Sequence, residues 1–177
     1  MAMSDDNTIA VSNNGNGIVQ VYNKMHGMWT QCQTIKQDEV RFFGVSIALY
    51  GHHMAVGTGV AGGWTDGEYV FTYNFDQKAN AWINNGKLSV PGGQTFVTLH
   101  NDMLVATVND ENQPELCGMV FKLSKTATPT NDNENNNNSN TSVKFVWKEF
   151  ARLTTKGYPL NGHSNKAVRI EENMVSK

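Results

Sequence analysis

The sequence predicts an all-β chain built from repeated four-stranded units. Three observations predict it. Trp29, Trp82 and Trp147 are each followed six residues later by an aliphatic residue, Ile35, Leu88 and Leu153. Upstream, Tyr22, Phe71 and Phe121 close the apolar runs GIVQVY, GEYVF and GMVF. Further upstream stand Ile9-Ala10-Val11, Met54-Ala55-Val56 and Leu104-Val105-Ala106, spaced by 45 and then 50 residues. Periods of this size mark stacked units rather than one irregular domain. No window carries a helical period, and the apolar segments are strand-length, rich in β-branched and aromatic residues and bounded by Gly, Asn and Asp.

The units fall at about 5–38, 39–91 and 92–157, with a fourth beginning at about 158–177. The second shows the pattern most clearly. Its first strand is Phe43-Gly44-Val45-Ser46-Ile47-Ala48-Leu49, and the turn Tyr50-Gly51-His52-His53 leads to Met54-Ala55-Val56-Gly57-Thr58. A Gly-rich loop at 59–67 precedes the third strand, Glu68-Tyr69-Val70-Phe71-Thr72-Tyr73. The fourth is drawn from Ala81-Trp82-Ile83 and Lys87-Leu88-Ser89-Val90. Between these lie Asn85-Gly86, which with Asp66-Gly67 have the composition of turn formers. Asn13-Asn14-Gly15-Asn16-Gly17 in the first unit is a turn too, because it lacks the Lys and following helix of a phosphate loop.

The first unit begins at a second strand, 7–12, and the fourth supplies 164–170 as a first strand before a stub at 173–177. The third unit carries an insertion at 126–142 containing Asn135-Asn136-Asn137-Asn138. It has almost nothing apolar to bury, so a solvated, disordered loop is expected there. Asn137 and Asn140 match the N-x-S/T glycosylation pattern, which an Asn-rich tract produces by chance.

Composition narrows the function classes. The net charge is −2 and charged residues are 17% of the 177-residue chain, which argues against an electrostatic grip on nucleic acid. No apolar run approaches the roughly 18 residues that span a bilayer. The opening MAMSDDNTIAV lacks the basic-then-apolar order of a secretory signal. Cys32 and Cys117 lie on different strands two units apart, and read as two separately buried thiols rather than a disulfide framework.

Four-stranded antiparallel sheets repeated radially make a β-propeller, usually of four to eight blades. The innermost strand of a blade faces a crowded axis, which suits Gly44, Ser46 and Ala48. A Trp on the outermost strand supplies a large apolar face to cover the gap between blades. The aliphatic residue six positions on shares its strand parity and is expected on the same face.

The run Phe43-Gly44-Val45-Ser46-Ile47-Ala48, then Met54-Ala55-Val56-Gly57, then Gly67-Glu68-Tyr69-Val70-Phe71, then Trp82, resembles the FG-GAP repeat of integrin α-subunit propellers. The first unit matches from its second strand onward. The third has Gly92-Gly93-Gln94-Thr95-Phe96 where Phe-Gly would stand, and Gly162-His163-Ser164 opens the fourth. The kelch repeat is the nearest rival, because Gly62-Gly63, Tyr73 and Trp82 echo its Gly-Gly, Tyr and Trp. The resemblance implies a propeller that binds protein or carbohydrate ligands. It also implies a calcium loop resembling D-x-D-x-D-G between the first two strands. The turns here, Ser4-Asp5-Asp6-Asn7, Tyr50-Gly51-His52-His53, His100-Asn101-Asp102 and Glu171-Glu172-Asn173, are too short and too weakly acidic for a cation that wants six or more oxygens, so calcium is not carried over.

Other chemistry finds little footing. His52-His53 are adjacent, so strand geometry sends them to opposite faces, and with His100 and His163 they read as exposed turn histidines. Asp110, Glu111 and Glu115 sit in a loop with Pro114 and read as a solvated face. No Ser/His/Asp order or paired carboxylates stand in a motif context. The expectation is a non-enzymatic scaffold whose binding surface lies on the loops 59–67 and 109–115, with no metal or cofactor. A propeller enzyme with a polar central channel is the rival, since fold alone does not exclude one. Three blades are below the usual minimum for closure, which points to a piece of a longer propeller or to a homodimer closing a six-blade ring.

Overall fold

The computed structural model describes residues 1–4, 7–40, 42–59, 69–108, 113–129, 141–154 and 169–172. Those residues form thirteen strands in three sheets, all antiparallel. Sheet one runs β1 (Ala2–Ser4), β2 (Thr8–Asn13), β3 (Ile18–Met25), β4 (Met28–Lys36). Sheet two runs β5 (Ser46–Tyr50), β6 (His53–Gly57), β7 (Tyr69–Asp76), β8 (Ala81–Ser89). Sheet three runs β9 (Val97–His100), β10 (Met103–Thr107), β11 (Leu116–Pro129), β12 (Thr141–Thr154), β13 (Arg169–Glu172). A single 3-10 turn, Asn14–Asn16, links β2 to β3 and is followed by Gly17 at φ +62°, as the Asn/Gly composition requires.

The turns follow from local chemistry. His26 and Gly27, at φ +50° and +82°, join the paired residues Met25 and Met28. Two positive-φ residues make the primed turn whose twist suits a two-residue hairpin. Gly51-His52 and Asn101-Asp102 close β5–β6 and β9–β10 as tightly, between Tyr50↔His53 and His100↔Met103. In the longer β7–β8 turn the Asp76 carboxylate accepts from the amides of Lys78 and Ala79 at 2.8 and 3.2 Å.

The three sheets share a bulge at the same place, and sheet three has a second register shift between Leu116 and Gly118. The register shifts between Val21 and Tyr22, Thr72 and Tyr73, and Val120 and Phe121. The extra residues on the partner strands are Cys32, Asn85 and Phe150, each three positions after a Trp. A bulge inserts one residue and so reverses strand parity beyond it. The expectation that Trp and its aliphatic follower share a face is therefore corrected. Trp82 pairs with Phe75 on one face of sheet two, while Leu88 pairs with Val70 on the other. Asn85-Gly86 is likewise no turn: it lies inside the continuous β8, and Gly86, at φ +114°, is the bulge glycine.

Each sheet thus has a front face with its Trp and a back face with its aliphatic residue. The back of sheet one, with Ala10, Val19, Val21 and Ile35, meets the front of sheet two, with Met54, Val56, Phe71, Tyr73 and Trp82. The back of sheet two, with Ala55 and Val70, meets the front of sheet three, with Leu104, Ala106, Met119, Phe121 and Trp147. The first strands lie side by side, β1 against β5 and β5 against β9.

Register also corrects the alignment of aromatics. Ile9 pairs with Tyr22, Met54 with Tyr73 and Leu104 with Phe121. The counterpart of Tyr22 and Phe121 is therefore Tyr73, with Phe71 one pleat further along the same face. Both are aromatic, so the sequence does not choose between them.

Three boundaries differ from expectation. β1 pairs with β2, so sheet one has a first strand. β13 pairs with β12 and extends sheet three instead of opening a fourth. The expected loop at 126–142 is narrower, because Thr126 to Pro129 pair with Lys144 to Thr141 and carry the hairpin outward. The remaining tract, 130–140, lies outside the described residues, as do 164–168 and 173–177.

Candidate interaction surface

The two ends of the sheets are built differently. One end holds the tight turns Gly51-His52, Asn101-Asp102 and His26-Gly27, together with the long β11–β12 connection, 130–140. The other holds the longer connections β4–β5, β6–β7, β8–β9 and β10–β11. Of the expected binding loops, 60–67 and 109–112 lie outside the described residues. What is described is the base from which they leave.

That base is fixed by a knot of backbone bonds. The Gly57 carbonyl accepts from the amides of Gly44 and Val45 at 3.1 and 3.2 Å. The Thr58 carbonyl accepts from the Thr95 amide at 3.0 Å, tying the start of sheet three to the end of β6. The Thr58 hydroxyl donates to the Tyr69 carbonyl and accepts from the Tyr69 amide, at 2.9 and 3.0 Å, closing the neck of the β6–β7 loop. The Val97 amide donates to Ser46 Oγ at 3.1 Å. Thr58 and Thr95 are each 1% exposed, and the Thr58 hydroxyl and the Thr95 amide have their partners, as buried polar groups must. A Cβ on Gly57 would lie 2.2 Å from the Thr95 carbonyl oxygen, so the seam between sheets two and three closes only around glycine here.

Aromatic residues ring this base. Phe96 is 51% exposed although its amide donates to Thr107 Oγ1 and its carbonyl accepts from the Thr107 amide. Phe42 holds φ +53°, a conformation that a bulky side chain rarely adopts. Phe42, Val45 and Gln94 converge on Gly59, all within 3.8 Å of where its Cβ would stand. Lys87 of β8 is bonded to Glu39 at 2.9 Å and lies 4.5 Å over the Tyr69 ring.

The repeat residues take several positions. Phe43 is fully buried, edge-on to Phe71 and Tyr73 at 5.7 and 6.5 Å. Gly44, at φ +91°, passes so close to sheet one that a Cβ would lie 2.8 Å from Ser12 Cβ. Trp82 and Trp147 are 4% and 7% exposed, with Phe71 and Phe121 buried beside them. Trp29 is 42% exposed with Lys24 over its ring, and Tyr22 is half-buried. Burial pushes the Tyr73 phenol up to about 12, against the Gln37 amide that donates to its oxygen at 2.8 Å.

Sequence reasoning missed Gln33. Its side chain spans the first seam, donating to the Trp82 carbonyl at 3.0 Å and accepting from the Trp82 amide at 2.8 Å. It replaces a missing strand neighbour for β8, and only three-dimensional proximity could reveal it. His53 also departs from the expected exposed turn histidine. It is half-buried in the second seam, Nδ1 2.8 Å from Asn74 Oδ1 and edge-on to Phe145 and Trp147. His52 stacks on Phe75 and His100 stands edge-on to Tyr50, so the histidines diverge. Cys32 is exposed rather than buried, because it lies on the outermost strand β4, and its thiol donates to the Val21 carbonyl; Cys117 is half-buried.

No protein-family model matches the chain, and no curated protein is similar to it.

Proposed function

We propose that the chain is a β-propeller segment working as a non-enzymatic interaction scaffold, of the kind its second unit resembles in the FG-GAP repeat, with a kelch-like adaptor as the alternative. Its ligand, a protein or a carbohydrate, is taken on the long-loop end. The propeller reading is supported by three sheets stacked front to back with their first strands adjacent. The observation that carries the binding reading is the contrast at that end. Loops leave a base locked by Gly57, Thr58 and Thr95, and half of Phe96 stays in water beside it. Variable loops on a rigid base are where recognition concentrates, and exposed aromatics anchor it.

The test uses a printed glycan array and a displayed peptide library. The parent chain is compared with one in which 59–67 and 109–115 are replaced by Gly-Ser, and with Phe96→Ala. Ligands of the parent should be lost on loop replacement and weakened about tenfold or more by Phe96→Ala, while the β-type circular dichroism persists. Ligands that survive every replacement would sink the assignment.

A further inference from the structure

The front face of sheet one repeats the faces that are covered in sheets two and three. Its rows run Met3–Ile9–Tyr22–Gln31 and Lys24–Trp29. The matching rows of sheet two are Met54–Tyr73–Asn84 and Phe75–Trp82, and of sheet three Leu104–Phe121–Glu149 and Leu123–Trp147. Met54, Tyr73 and Trp82 are 1%, 2% and 4% exposed, whereas Met3 is 67% and Trp29 42% exposed. Sheet one differs in being more polar, with Gln20 and Lys24 where sheet two has Phe71 and Phe75. That mixture of a Trp, a Tyr and aliphatics with a polar margin is the composition of a surface that is wet part of the time.

Within the chain such a face is covered twice, each time by a back face whose rows are small or β-branched. Sheet one offers Ala10–Val21–Gln33 and Ser12–Val19–Ile35, and sheet two Ala55–Thr72–Gly86 and Gly57–Val70–Leu88. The back of sheet three continues the series with Val105–Val120–Ala151 and Thr107–Gly118–Leu153. On it Val120 and Ala151 are 6% and 0% exposed, while Val105 and Leu153 are half-buried and Thr107 is exposed, so the open part of this face is the patch of Val105, Thr107 and Leu153.

We propose that the front of sheet one is seated on the back of sheet three of a second copy of this chain. Two reciprocal contacts then close a symmetric ring of six sheets. Front-to-back contact is heterologous, and two-fold symmetry closes it after two copies. Six sheets lie within the range in which propellers close, and three do not. Trp29 of one copy takes the place that Trp82 has at the first seam, lying against the half-buried Val105 and Leu153 of the other. The proposal rests on the stacking of the sheets and not on ligand capture by the loops, so either can fail alone.

Sedimentation equilibrium over a concentration series tests it. The expected mass is twice that of the monomer. Trp29→Glu on the front and Leu153→Arg on the back should each weaken dimerisation by about a hundredfold, the scale of losing one buried anchor. Mixing the two variants should restore a heterodimer, because one intact front then meets one intact back. Thr107→Arg, at an exposed position on the same back row, serves where Leu153→Arg loses its circular dichroism. A parent chain that stays monomeric overturns the proposal. So does a dimer broken by Trp29→Glu but indifferent to both back-face changes, which would mean front-to-front pairing.

Discussion

Trp82 and Trp29 stand at the same position of the same repeat and meet different surroundings. Both lie on the outermost strand, three residues before a bulge, pointing to the front of their sheet. Trp82 is closed over by sheet one, tilted against Phe75, its backbone clamped by Gln33. Trp29 has Lys24 over its ring and remains 42% exposed. The position fixes direction, and a neighbouring back face decides burial. The bulge makes this possible, since one strand must present Trp forward and Leu or Ile backward within six residues.

The comparison breaks most clearly in stability. Trp82→Ala should cost about 3–5 kcal/mol by urea unfolding, the scale of emptying a large aromatic site, whereas Trp29→Ala at high dilution should cost about 1 kcal/mol or less. Equal losses would mean that the front of sheet one is covered even in the monomer.

Next come the glycines. Gly57→Ala forces a methyl against the Thr95 carbonyl at 2.2 Å and should cost about 2–3 kcal/mol, because backbone cannot swing aside as a side chain does. Gly27→Ala, at φ +82° in open space, carries only the conformational penalty of about 1 kcal/mol. The same order in thermal midpoints would check it; the reverse order would remove the seam from its assigned role.

Gln33→Ala leaves a Trp82 amide and carbonyl without their partner and should cost about 1–2 kcal/mol. Gln31→Ala, exposed on the front of sheet one, should leave the urea midpoint unchanged. A silent Gln33→Ala would show that water replaces the clamp freely.

The smallest effect belongs to Tyr73. Its phenol is raised from the usual 10.0 to about 12, burial being the larger cause and the Gln37 hydrogen bond opposing it. The unfolded chain loses this proton first, so the contribution is intact below pH 10 and fades as pH rises toward 12. An absorbance titration at tyrosinate wavelengths should show a late-titrating phenol that Tyr73→Phe removes. A tyrosine count that titrates wholly near 10 would contradict the burial of that ring.

Much of the fold was legible in the chain. The β class, the repeat and the turns at Gly51-His52 and Asn13 to Gly17 arise from period, β-branched content and positive-φ residues. The face on which each residue lies was not legible. A bulge adds one residue without a compositional signature: Cys32, Asn85 and Phe150 share no chemistry, yet each reverses the parity of the residues after it. The same blindness made Phe71 look like the partner of Tyr22, and made Ile35, Leu88 and Leu153 look like companions of their tryptophans. Of the proposed interaction surface, the loops 59–67 and 109–115 could be named from the sequence. Its rigid base could not, because the bonds among Gly44, Gly57, Thr58 and Thr95 join residues up to 37 positions apart in sequence.

The order of amino acids set the local alphabet of this protein: which segments extend, where they reverse, and which large side chains must find cover. Assembly of the sheets chose the side each one faces and the surface that covers it. Extension and turning are settled by steric preferences within a few residues, whereas facing depends on hydrogen-bond register between strands, and cover depends on a second sheet arriving at the right height.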